Sequence, residues 1–130
     1  MEPSPSRAVA IIGASHDRRK YGNKAVRAYV QSGWTVYPVH PTARKIEGLT
    51  AYHSIRDVPL PVDRVSIYLP PPVGVTLLPE IAAAQPGKVF FNPGSESPEL
   101  LAQASKLGLN AVAACSLVAI GLTPEAFPSE

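Results

Sequence analysis

Gly13, Ala14 and Ser15 follow the apolar run Val9 to Ile12, and a basic insert, Arg18-Arg19-Lys20, separates them from Gly22. If Val9 to Ile12 is a strand of a parallel sheet, this turn arrives at the sheet's carboxyl edge, where backbone N–H groups and the positive end of the next helix face an anion. The chemistry these residues suit is therefore a cradle for a phosphorylated cofactor. Its glycines depart from the dinucleotide pattern GxGxxG, since the glycine after Gly13 is Gly22. No acidic residue closes the second apolar run to receive an adenosine ribose either, because Val39 is followed by His40 and Pro41. Both departures argue against an ordinary NAD site.

Other reactive side chains make weaker patterns. His16 and Asp17 are adjacent, so their side chains diverge, and Ser15 beside His16 is no better a nucleophile and base. Cys115 lies in AVAACSLVAI, a small-residue apolar run that suits a core or cavity wall and brings no base close in sequence. The histidines, His16, His40 and His53, share no metal-ligand spacing, so no metal is assigned. No catalytic residue is assigned.

The elements that must position these residues alternate along the chain. After Val9 to Ile12, a helix is expected over Asn23 to Ser32, with Ala25, Val26, Tyr29 and Val30 on one face and Gly33 at its end. Thr35 to Val39 is the second strand, Val65 to Leu69 the third, Val89 to Phe91 the fourth and Asn110 to Ala113 the fifth. Between the second and third strands lies a polar stretch with Gly48, and Tyr52 to Val58 is too short and mixed to assign. Pro79 would kink a helix interior, so the helix after the third strand is expected to start near Thr76 and end at Gln85-Pro86-Gly87. Ser97 and Pro98 read as the cap and first residue of another helix, with Leu100, Leu101, Ala104 and Leu107 as its stripe and Gly108 as its stop. The fold class is α/β: a Rossmann-like, doubly wound parallel sheet of about five strands in three layers.

Composition agrees with one compact domain over residues 1–130, with 45% hydrophobic residues to build a core. A formal charge of +2, with its cations clustered locally, suits one anionic small ligand better than a nucleic-acid track. The proline-rich start MEPSPSRAV resembles neither a signal peptide nor a membrane span, and a single cysteine is usual in a reducing cytoplasm. Expected partners therefore exclude nucleic acid and membrane, leave any protein partner open, and place the chain in the cytoplasm.

GAS at Gly13, KYGNK, YPVHP, the G-x-x-x-Y from Gly48 to Tyr52, VDRVSIYLPP, NPGSES and the terminal ACS occur in an order and spacing that resembles the small stand-alone CoA-binding proteins. These are similar to the N-terminal CoA-binding domain of succinyl-CoA synthetase alpha chains and of ADP-forming acyl-CoA synthetases. The resemblance implies a five-stranded Rossmann-like sheet holding coenzyme A, or a short acyl-CoA, across its carboxyl edge. It also implies binding without catalysis, because the ligase reaction needs a further domain carrying a phosphorylated histidine. This chain has His40 where asparagine is frequent and Asn92-Pro93-Gly94 where many relatives have a glutamine-glycine turn. Those departures alter the adenosine contact and the far end of the pocket.

On that resemblance, Gly13, Ala14, Ser15 and Gly22 meet the pyrophosphate, with Arg18, Arg19 or Lys20 offsetting its charge. His40 and Pro41 border the adenosine, with Arg44 or Lys45 near the 3′-phosphate. Leu69, Pro70 and Pro71 form an apolar wall, and Asn92, Pro93 and Gly94 meet the pantetheine, with Asn92 bonding its amides. Two other function classes remain: a weak acyl-CoA-processing enzyme and an NAD-binding regulatory module.

Overall fold

A computed structural model describes residues 7–59 and 61–130; the proline-rich start of the chain lies almost wholly outside them. Five parallel strands, β1 (Ala8–Ile12), β2 (Thr35–Val39), β5 (Arg64–Ile67), β6 (Lys88–Phe91) and β7 (Ala111–Ala113), form one sheet in the order β2-β1-β5-β6-β7. β3 (Lys45–Ile46) and β4 (Leu49–Thr50) make a small antiparallel hairpin beside it. α1 (Tyr21–Gln31) lies on one face of the sheet; α2 (Pro71–Ala84) and α3 (Pro98–Lys106) lie on the other.

The period-two alternation of β1 divides the core. Val9 and Ile11 face α1 with Val26 and Tyr29, whereas Ala8, Ala10 and Ile12 face α2 and α3 with Leu78, Ile81 and Leu100. β1 pairs with β2 on one side and β5 on the other, with Ile12 opposite both Val39 and Ile67. Successive connections thus leave β1 in opposite directions, and the crevice where they part lies at the carboxyl ends of these strands.

The largest departure from expectation is α2, which begins at Pro71 and carries Pro79 inside it. Pro70 is extended, as a residue before proline must be, and Pro71 and Pro72 occupy first-turn positions that need no intrahelical N–H. Pro79 removes one bond, to the carbonyl of Val75, on a face where both residues are exposed and water can serve that carbonyl. The polar stretch around Gly48 is the β3–β4 hairpin, and Tyr52 makes an isolated bridge to Val39 ahead of a 3-10 turn at Ile55–Asp57. On α1, Val30 is exposed although expected on the buried face, and Leu107, expected in the α3 stripe, is the exposed C-cap. Ser97 caps α3 as expected, its Oγ accepting from the Leu100 N–H at 3.1 Å.

Candidate functional site

The turn after β1 is shaped by close backbone packing. Gly13 has φ +91°, and a Cβ there would stand 2.8 Å from the Tyr68 carbonyl oxygen. A Cβ on Gly22 would overlap the Gly13 carbonyl, so these glycines let the start of α1 sit directly against the end of β1. From Ser15 onward the loop is laced internally. Ser15 Oγ accepts from the Asp17 N–H at 3.0 Å, and the Asp17 carboxylate grips both Nε and Nη2 of Arg19 at 2.9 Å. That fork holds the Asp17 pKa down to about 2.

Buried Asn23 braces the loop from below, its Nδ2 donating to the Ser15 carbonyl at 2.9 Å and to Glu47 at 3.0 Å. Arg27 donates to Asn23 Oδ1 at 2.8 Å, to the Arg18 carbonyl at 3.0 Å and to the Pro128 carbonyl at 2.8 Å. Loop, helix and C-terminal segment are thereby tied together. Lys20 is the N-cap of α1 and gives it no side-chain cap. The first N–H groups of α1 accordingly remain available to a ligand, and Tyr21 and Gly22 line the cavity in front of them.

That cavity, about 830 Å³, runs along the carboxyl edge of the sheet. Ile12 to Ser15 and Arg19 to Gly22 come from the β1–α1 turn, Val39 to Pro41 from the end of β2, and His53 from the segment beyond β4. Tyr68 to Pro70 follow β5, Val73, Leu77 and Glu80 stand on α2, and Pro93 to Ser95 follow β6. Arg19 and Lys20 are its cations. Glu80, its one acid among the described residues, is held by Arg56 at 3.5 Å and Ser54 at 3.2 Å. The Tyr68 hydroxyl is buried without a partner among the described residues, and burial pushes its pKa up.

Of the residues singled out in the sequence, Gly13, Ala14, Ser15, Arg19, Lys20, Gly22, His40, Pro41, Leu69, Pro70, Pro93 and Gly94 line this one cavity. Arg18, Arg44, Lys45, Pro71 and Asn92 do not. Arg18 pairs with Glu47 at 3.5 Å and donates to the Glu130 carbonyl. Arg44 and Lys45 are exposed at the β3–β4 hairpin, and Pro71 lines a separate hollow with Ser97 and Leu100. Asn92 is 2% exposed and committed to the fold. Its Nδ2 donates to Ser66 Oγ and the Ile67 carbonyl at 2.9 Å, and its Oδ1 accepts from the Ser116 N–H at 2.8 Å. These bonds use both of its donors, so Asn92 has no amide N–H left to give a ligand's amides. Cys115 is half-buried on the α1 side of the sheet and is not among the residues around the cavity.

Sequence reasoning missed Val73, Leu77 and Glu80, although their spacing of four and three is a helical face once α2 is allowed to start at Pro71. Tyr68 could have been found from the alternation Arg64, Ser66, Tyr68. His53 reaches the cavity after the Val39–Tyr52 bridge, which has no sequence signature.

A family described as a CoA binding domain matches residues 7–121. A conserved hypothetical protein from Pyrococcus furiosus superposes with a TM-score of 0.79 at 34% identity, covering 87% of this chain and 98% of that one. The apo dinucleotide-forming acetyl-coenzyme A synthetase 1 of Ca. Korarchaeum cryptofilum superposes with a TM-score of 0.71 at 28% identity, covering 82% of this chain and 26% of that one. The acetate–CoA ligase (ADP-forming) II of Archaeoglobus fulgidus is 40% identical over 79 residues, 59% of this chain and 11% of the ligase. The corresponding ligase II subunit alpha of Pyrococcus furiosus is 35% identical over 65 residues, 49% of this chain and 14% of the subunit. This chain thus spans a small fraction of the ligases it matches.

Proposed function

The chain belongs to the CoA-binding domain family, and from that premise we propose that it binds coenzyme A or a short acyl-CoA in the carboxyl-edge cavity, as a carrier or sensor and not as a catalyst. The observation that carries this reading is the junction of β1 and α1: a glycine turn and an uncapped helix start beside Lys20, in a cavity whose far wall includes apolar Leu69, Pro70, Val73 and Leu77. The residues fit such a ligand. Gly13, Ala14, Ser15 and Gly22 would hold the pyrophosphate, with Lys20 supplying charge. Leu69, Pro70, Val73 and Leu77 offer apolar surface to the pantetheine or adenine, and about 830 Å³ is at the roomy end of the roughly 300–1,000 Å³ usual for small-molecule sites. Coenzyme A would supply a thiol that forms thioesters; the chain's residues would bind and orient it.

Titration calorimetry with CoA, dephospho-CoA and NADH tests this reading. CoA is expected to bind more tightly than NADH, and equal or tighter binding of NADH overturns it. Lys20→Ala is expected to weaken CoA at least tenfold, the loss of one charge-assisted contact worth roughly 1.5–3 kcal/mol. Intact acyl-CoA recovered after incubation supports the carrier or sensor; steady acyl release would make the domain an enzyme.

A further inference from the structure

His40 ends β2 at the cavity wall, and its Nδ1 accepts two backbone N–H groups, from Thr42 at 3.1 Å and Ala43 at 2.9 Å. A ring nitrogen whose lone pair is shared by two amides carries no proton. Turning the ring over would place a carbon opposite both amides and leave them without an acceptor. A neutral imidazole keeps its one proton on the other nitrogen, so Nε2 is the donor.

The surroundings favour the same state. His16 and Lys20 face the ring from the β1–α1 turn, His16 with its ring centroid 6.3 Å away, and His53 faces it from the segment beyond β4. Burial first, then the charges of these three residues, hold the His40 pKa below the ordinary histidine value.

We propose that His40 is a specificity-determining residue: the turn after β2 locks its Nε2–H tautomer, and that N–H donates to an acceptor atom of the bound ligand. The ligand's identity rests on the coenzyme A reading; the tautomer does not. Coenzyme A is rich in suitable acceptors, namely phosphate and ribose oxygens and adenine ring nitrogens, and a locked donor selects for them. Asparagine at position 40 reproduces both halves of the device, because Oδ1 can take the two amides while Nδ2 donates. Aspartate reproduces only the acceptor, and alanine neither.

Long-range proton–nitrogen NMR of the ligand-free protein above neutral pH reads the tautomer directly. The Nε2–H form is expected; an Nδ1–H form or an even mixture overturns the lock. Calorimetry with CoA reads the donor. His40→Asn is expected within about threefold of the wild type, and His40→Ala and His40→Asp at least tenfold weaker. The His40→Asp loss is expected to persist at high ionic strength, because a missing donor is not screened by salt. Unchanged affinity in folded His40→Ala, or a His40→Asp loss that salt abolishes, overturns the donor. If the wild type takes up no CoA, the ligand reading fails and the donor loses its acceptor, while the spectra still decide the lock.

Discussion

Gly13 and Gly22 are needed by the protein before any ligand arrives. The Gly13 backbone has φ +91°, and a side chain there would press on the Tyr68 carbonyl; a side chain on Gly22 would press on Gly13 itself. Backbone cannot yield as a flexible side-chain end can. Gly22→Ala is therefore expected to destabilise the fold by about 1–3 kcal/mol, seen as a lower denaturant midpoint, and an unchanged midpoint would refute the close packing. Gly13→Val is expected to do the same, so its effect on CoA affinity must be read beside its stability. Cys115 is the contrasting case: it stands apart from the residues around the cavity, and Cys115→Ser is expected to leave CoA affinity within a few-fold. A larger loss in folded protein would bring the thiol into the site. At this scale the turn glycines were legible, because few residue types tolerate such a turn, and the basic insert was legible only as a group, of which Arg19 and Lys20 line the cavity. Asn92 was not: its type and place suit a ligand contact, and it is Ser66, Ile67 and Ser116, brought in from distant parts of the chain, that occupy its side chain.

The elements were legible wherever one local rule decided them. β1, β2 and β6 are apolar runs bounded by glycine or proline, and α3 announces itself through Ser97 and Pro98. α2 was misplaced because two proline rules compete there. Pro71 and Pro72 initiate a helix, Pro79 opposes its continuation, and packing of Leu78 and Ile81 against the sheet outweighs the single lost bond. The β3–β4 hairpin was hidden because strands of two residues carry no period. From the same argument, Pro79→Ala should restore the N–H that Val75 lacks and raise the thermal midpoint, with an upper bound near the roughly 3 kcal/mol that an interior proline costs. A lower midpoint would mean that the proline ring itself packs the helix. Such a change should leave the cavity intact, since its α2 contributions come from Val73, Leu77 and Glu80.

For the whole molecule, the cavity gathers residues that are widely separated in sequence, so ligand binding and global stability are coupled. Coenzyme A at about one hundred times its dissociation constant is expected to stabilise the folded chain by about 2.7 kcal/mol. Proton binding works in the opposite sense. His40 has a lowered pKa in the fold, caused first by burial and then by His16, His53 and Lys20, so between that value and the unfolded value near 6.5 the unfolded chain binds more protons. Stability then rises with pH across this window and is lost on acidification, and above the window it no longer varies with His40. Protonating Nδ1 would also end the acceptance of the Thr42 and Ala43 N–H groups, which ties the charge change to the turn that borders the cavity. Scanning calorimetry of the ligand-free protein should therefore show the thermal midpoint falling as pH drops below about 6.5, and His40→Asn should flatten that fall because its amide keeps the bonds without titrating. An equally steep fall in the asparagine variant would assign the acid sensitivity to groups other than His40.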